Sequence, residues 1–344
     1  MSSEHEQTQN LLQEVMMAKR GMHAGDTRNS GLQMRVFTDG ELREIHLATL
    51  EVLEKTGIFV EDEQALEVLD GGGAWVDRGS KVVRFPPYLV EEAIDWAPST
   101  FVAAGRVPES DVVLASDRVH FTNFGEGIMI RDLRTGVLRE TVKQDLAEAA
   151  ILVDYLDNLD VYERAMLSHD VPPEVSPLHN AEASLLNTTK HHFLCPGNGF
   201  LAKRLVEILG VIVGGKEKLK YRPLLSFLTC PVSPLKLVRD CCEIIMEAAR
   251  AGIGVNVLSM AMAGASAPVH LAGTLVTHNA EVLSGIVLAQ LTRKGTPVVY
   301  GSSTCGLDLK LGTASVGSPE LALISAAVAQ LAHRYCLPSF VAGG

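Results

Sequence analysis

Residues 224–260 read LLSFLTCPVSPLKLVRDCCEIIMEAARAGIGVNVLSM. Leu224–Cys230 is apolar along its length, and so is Gly254–Met260. Between them, 235–251 forms a helical run. The segment is therefore strand, helix, strand. Strands without polar alternation belong to a parallel sheet covered on both faces.

The same unit repeats in both directions. Further strand candidates are Val161–Leu167, His191–Cys195, Pro297–Gly301 and Leu337–Ala342, with helical runs at 177–189, 199–213, 269–293 and 318–335. Strand starts recur at roughly 30 to 43 residues, the spacing of βα units. Ser318-Pro319 and Ser233-Pro234 each place an N-cap before an N1 proline. Unbroken repetition predicts an α/β chain with a (β/α)8 TIM barrel that is incomplete, about six of eight strands being present. The partial barrel spans 142–344. An α+β extension occupies 31–141, with a helix over Thr38–Lys55 that stops at Gly57 and short β-like runs at 74–85, 100–104, 111–120 and 128–139. Residues 1–30 are a polar tail. The chain ends at Gly344, at the carboxyl end of the sixth strand, with an open sheet edge, so a missing piece is expected on physical grounds.

Composition narrows the function. The 344 residues include 47% hydrophobic ones, enough to exclude disorder. A net charge of -11 speaks against nucleic acid or an anionic membrane as partner. The tail has no signal-peptide core, and six cysteines without repeated spacing fit a reduced, cytoplasmic protein. Residues 251–280 carry no charge, but Asn256, Pro268, His270, His278 and Asn279 suit a buried core better than lipid.

Several motifs carry candidate chemistry. Gly197–Ala202 has the G-x-G-x-x-A outline of a dinucleotide loop, but no acidic residue takes the ribose role, and a barrel loop is the better reading. Gly301-Ser302-Ser303-Thr304-Cys305 lacks the second glycine of a nucleophile elbow and reads as a loop that lets backbone approach a ligand. Adjacent His191-His192 point to opposite faces, and no spacing fits zinc, so no metal site is assigned. His278 and Glu281 share a helix face. Glu281 is either functional or a helix-packing hydrogen-bond acceptor. Glu126, between glycines in Asn123–Gly127, is either a pocket carboxylate or part of an ordinary turn. Tyr300, ending the fifth strand, is placed to face the barrel mouth, where an aromatic ring can hold an alkylammonium.

Three segments carry a family resemblance: Pro231–Leu235; Val255–Met262 continuing through His270–Gly285; and Tyr300–Thr304 through Gly317–Leu321 to Leu337–Gly343. They resemble the trimethylamine:corrinoid methyltransferase family, with weaker agreement at Phe121–Ile128 and in TDGELREIH. The resemblance implies a barrel enzyme that passes a methyl group from trimethylamine to the Co(I) corrinoid (cobalamin) of a cognate partner protein. It implies no directly bound cofactor. In the trimethylamine branch it implies pyrrolysine, encoded by an in-frame amber codon, just beyond Gly344. On that reading the chain is the fragment before the codon and is inactive alone, and the full-length protein is a homo-oligomer.

The roles implied for residues rest on strand-end placement and polarity. Glu281 is the first candidate base and Glu126 the second. Tyr300 lines a methyl cage. His278, Asn279 and Ser302 supply hydrogen bonds, and Asn123 and Met260 complete the set. Two alternatives stand beside this. One is a quaternary-amine methyltransferase of the glycine betaine type, for which no basic partner of a carboxylate is evident at the strand ends. The other is a non-catalytic binding fragment. UAG after codon 344, followed by an open frame of about 150 codons, separates the first reading from the last.

Overall fold

The computed structural model describes residues 34–343; the tail read over 1–30 lies outside them. Helix α1 (Asp39–Glu51) starts where the sequence predicts. The Thr38 hydroxyl accepts from Glu41 N, and the Glu41 carboxylate accepts from Thr38 N at 2.8 Å. A wider turn, Val52–Thr56, leads to Gly57 at φ +79. A Cβ there would meet the Val83 carbonyl oxygen at 2.4 Å, so glycine is required.

The extension holds more helix than its β-like runs predict. Strand β1 (Ile58–Val60) is followed by α2 (Glu63–Gly71), the antiparallel pair β2 (Trp75–Asp77) and β3 (Val82–Arg84), and α3 (Pro87–Trp96). Two hairpins follow, β4 (Thr100–Ala103) with β5 (Val112–Ala115) and β6 (Met129–Arg131) with β7 (Leu138–Glu140). The second turns where Arg134-Thr135-Gly136 predicts, and the Asp132 carboxylate accepts from Arg134 N and Thr135 N. Helix α4 (Lys143–Tyr155) then leads into the sheet.

All six expected strands form one parallel sheet. They are β8 (Val161–Glu163), β9 (His191–Leu194), β10 (Leu225–Thr229), β12 (Val255–Ser259), β14 (Val298–Ser302) and β17 (Ser339–Val341), paired in chain order. The crossovers are α5 (Ser176–Asn187), α6 (Gly199–Val213), α7 (Arg239–Ala251), α8 (Leu271–Thr292) and α9 (Pro319–Arg334). The short strands β13 (Met262–Ala263), β15 (Cys305–Asp308) and β16 (Thr313–Ala314) form a separate small sheet. Ser318 caps α9 as expected, accepting from Leu321 N. Ser233-Pro234 does not start a helix. The chain there passes through a cis peptide into β11 (Lys236–Leu237), which pairs with β1, and α7 begins only at Arg239. The Ser233 hydroxyl is instead engaged by Glu281. One barrel loop thus adds a strand to the N-terminal sheet and joins the two regions.

The sheet curls. The rings of Phe193 on β9 and Phe340 on β17 stand 5.3 Å apart at their centroids, with β10, β12 and β14 between them in the sheet. Four strand spacings in a flat sheet would separate them by about 19 Å. Inside the curl, Val161, Phe193 and Val299 form one cluster with Phe340. The β4–β5 hairpin fills the amino end of this hollow, adding Ala103 and Val112 to the same cluster, with Phe101 and Leu114 packed on it. Gly254 makes room, since a Cβ there would lie 2.7 Å from Ser226 Oγ and 3.2 Å from the Phe101 ring. Arg222 ties the plug down with two bonds to the Asp111 carboxylate, at 2.9 and 2.8 Å, and one to the Gly105 carbonyl.

Behind the sheet, α1, α3 and α7 pack on α8. Helix α8 is long and apolar enough to cross a membrane, yet most of it is buried inside the protein.

Candidate active site

A cavity of about 1440 Å³ opens at the carboxyl ends of the parallel strands. Val161 and Glu163, alternate residues of β8, face it, as strand geometry dictates. Phe193, Leu228, Leu258 and Val299 form an apolar lining, and Cys230, Met260 and Ser303 border it from the loops beyond the strands. One side is the segment 121–126, and another is α9, which contributes Gln330, His333 and Arg334.

The segment 121–127 runs beside β8 like an added strand, bridging Thr122 to Val161 and Gly127 to Met166. Asn123 clamps the end of β8. Its Oδ1 accepts from Glu163 N at 3.0 Å, and its Nδ2 donates to the Glu163 carbonyl at 2.8 Å. Glu126 sits at φ +67, in the left-handed region, and accepts from the Arg164 guanidinium. Arg164 is buried and also donates to the Cys195 carbonyl at 3.1 Å. Gly125 is small because Glu163 lies on it; a Cβ there would meet Glu163 Oε1 at 2.7 Å.

Glu163 is the most perturbed carboxyl of the cavity. Burial, reinforced by the nearby Glu126 charge and opposed by Arg164, lifts it from 4.5 to about 7. Glu163 is not among the site residues expected from the sequence. Its signal was a charged pair, Glu163-Arg164, closing an apolar strand at the end where barrels place their chemistry.

Three of the expected site residues, Asn123, Glu126 and Met260, line this cavity together. The other five do not. Tyr300 follows Val299 and therefore points the opposite way, into the helix layer, where it is fully buried. Its hydroxyl donates to Asn279 Oδ1 at 2.6 Å. Asn279 Nδ2 donates to the Tyr335 hydroxyl at 2.8 Å and to Thr49 Oγ1 at 3.0 Å. Tyr335 in turn meets His46 Nδ1 at 2.9 Å, and His46 Nε2 reaches Glu91 at 2.7 Å. These groups weld α1 and α3 to the curled sheet and its helices. His278 pairs with Thr304 Oγ1 at 3.0 Å, and burial lowers it to about 3, so it is neutral. Glu281 is wholly buried and accepts from Ser259 Oγ at 2.6 Å, Ser233 Oγ at 2.8 Å and Leu235 N at 3.0 Å. Of the two readings of Glu281, the hydrogen-bonding one describes its place. Ser302 is buried and its Oγ accepts from Thr304 N; its neighbour Ser303 lines the cavity.

Two motifs resolve locally. At 197–202, Asn198 caps α6, accepting from Leu201 N at 2.9 Å, and the Glu243 carboxylate accepts from Gly199 N at 3.1 Å. A side chain of this protein thus takes the place a phosphate would need. Gly301 lies within β14, and a Cβ there would sit 2.0 Å from Asn256 Oδ1. Its smallness serves that amide, not a ligand. Among the described residues, no group of three or more His, Cys, Asp or Glu is arranged to hold a metal ion.

A curled parallel half-barrel sheet with helices outside and an acid-bearing cavity at its carboxyl ends defines an α/β protein with an enzyme-like site. The trimethylamine methyltransferase (MTTB) family model matches residues 6–344, and the chain belongs to that family. It is 50% identical over 323 residues to trimethylamine methyltransferase MttB of Desulfitobacterium hafniense, covering 94% of this chain and 65% of that one. It is 46% identical to MttB of Methanosarcina thermophila over 95% of this chain and 69% of that one. A glycine betaine methyltransferase of D. hafniense is 36% identical over 90% of this chain and 64% of its own length. The chain thus spans about two thirds of the curated relatives it matches. Among solved structures, the Methanosarcina barkeri monomethylamine methyltransferase (MtmB) superposes with a TM-score of 0.53 over 90% of this chain and 69% of that one. At 12% identity this likeness concerns the fold alone.

Proposed function

We propose that the protein acts in methyl transfer from trimethylamine to the Co(I) corrinoid of a partner protein. The observation that carries this reading is the 50% identity to a trimethylamine methyltransferase over 94% of the chain, against 36% for the betaine relative. The cavity is chemically suited to the substrate. Its lining is apolar, as three methyl groups require, and Glu163 and Glu126 supply carboxyls for an ammonium. Met260, Phe121 and Phe124 offer soft and aromatic surface to the methyls, and Asn123 holds the strand end in place. The protein's contribution is positioning, exclusion of water and charge placement.

The family resemblance further implies pyrrolysine, which would supply an electrophilic carbon for the amine lone pair. The cavity suits such a side chain, being open at the strand ends and bordered by Glu126, Cys230 and Ser303. On this reading the full-length enzyme closes an eight-stranded barrel between β17 and the 121–127 segment. It is then a cytoplasmic homo-oligomer, and a corrinoid protein docks at the cavity mouth.

One observation favours a second reading. Arg35, Arg118 and Arg334 line the same cavity, and any of them can pair with the carboxylate of a betaine. The test is the conversion of Co(I) to methyl-Co(III) on a cognate corrinoid protein, followed by absorbance with full-length enzyme. Trimethylamine is expected to drive it and to yield dimethylamine, with no response to glycine betaine. The opposite preference would replace the first reading by the second.

A further inference from the structure

We propose that Glu163 holds the substrate ammonium in the cavity and accepts its proton. The inference rests on the methylamine reading above and names a residue that the family resemblance does not assign. Its ground is a contrast in hydrogen bonding. Glu281 accepts three hydrogen bonds and Glu126 is engaged by Arg164, whereas no described residue donates a hydrogen bond to the Glu163 carboxyl. That carboxyl lines the cavity, and its backbone is clamped on both sides by Asn123. Gly125 leaves the space in which it lies. A carboxyl that is positioned this closely, largely buried and given no donor has its acceptor capacity reserved for something that enters the cavity.

The charged and titratable groups around it are Glu126 and Arg164, with the Cys230 thiol also close, and burial keeps that thiol protonated. In the proposed step the trimethylammonium N–H bond breaks and a carboxyl O–H bond forms. The bonding pair stays on nitrogen as the lone pair, and Glu163 becomes a neutral acid. An ion pair is thus exchanged for two neutral groups, which an apolar lining favours. Alkylammonium ions hold their proton to about pH 10, as a Lys side chain does. Raising the carboxyl from 4.5 to about 7 makes the transfer about 300-fold less unfavourable than with an ordinary glutamate.

The test uses infrared difference spectra of full-length protein on adding trimethylammonium chloride, beside calorimetric affinities. At about pH 9, where the free carboxyl is ionised and trimethylamine still carries its proton, trimethylammonium is expected to produce a protonated-carboxyl band that Glu163→Gln abolishes. Tetramethylammonium, with no N–H, is expected to bind without producing it. Glu163→Gln is expected to weaken trimethylammonium binding at least tenfold, with partial recovery in Glu163→Asp. A band and affinity unchanged in Glu163→Gln would overturn the assignment and leave the functional reading intact. Failure of the wild-type protein to bind any methylamine would overturn both. Should Glu163→Gln not fold, Glu126→Gln removes the repelling neighbour and is expected to move the pH midpoint of the band downward. An unmoved midpoint would refute the proposal.

Discussion

Glu281 and Glu163 are carboxyls on opposite sides of one curled sheet. Glu281, on α8 behind the sheet, is wholly buried and satisfied by two hydroxyls and an amide. Glu163, at the end of β8, faces the hollow and accepts nothing from the described protein. Burial raises both. The difference is in what opposes it: three hydrogen bonds for Glu281, the charge of the Arg164 guanidinium for Glu163. A raised carboxyl is therefore a poor marker of chemistry by itself. The unused acceptor capacity beside a cavity is the better one.

The largest effect is expected at Glu281. Glu281→Ala leaves three donors, that of Ser259 fully buried, without their acceptor and is expected to cost about 3 kcal/mol or more, read as a lower urea midpoint. A loss below about 1 kcal/mol would mean that the loop at Ser233 does not depend on it. Tyr300→Phe strands the Asn279 carbonyl oxygen and is expected to cost about 1–3 kcal/mol by the same measurement.

On the hollow side the expected signature is pH. The Glu163 proton affinity is higher folded than unfolded, so the folded state binds more protons between pH 4.5 and 7. Its contribution to stability is complete below about 4.5 and is lost as pH rises through about 7. Glu163→Gln should remove that loss, flattening stability between pH 5 and 8 while leaving the fold intact. A wild-type slope in the variant would place the titration elsewhere. The smallest effect is expected from Gly125→Ala. Its Cβ would push on the Glu163 carboxyl from 2.7 Å and lower trimethylammonium affinity roughly tenfold with little change in stability.

Much of the architecture was legible because its units are long and repetitive. Helix α6 falls on the residues expected of it, and each of the six strands lies within its expected span but for one residue, Ser302, at the end of β14. The caps at Thr38 and Ser318 act as their side-chain chemistry predicts. The side to which Tyr300 points was not legible. A strand apolar on both faces has no alternation from which to read its phase, and a phase error of one residue moves the side chain through the sheet. Ser233-Pro234 misled for a different reason. The motif is local, whereas its actual partner, Glu281, is supplied by a helix far along the chain. Asn123, Glu126 and Met260, which line the cavity, were legible because they lie in a glycine-rich turn and at a strand end. Glu163 obeys the same rule but was hidden in a three-residue strand.

The hairpin lodged in the amino end of the curled sheet bears on how the chain is made. Its residues leave the ribosome well before their partners: Ala104 meets His191 across 87 residues and Gly105 meets Arg222 across 117. The interior can dry only when late strands close around an early segment, so such long-range pairing sets a slow and ordered assembly. The order of synthesis is then also the order of construction, plug first and wall second.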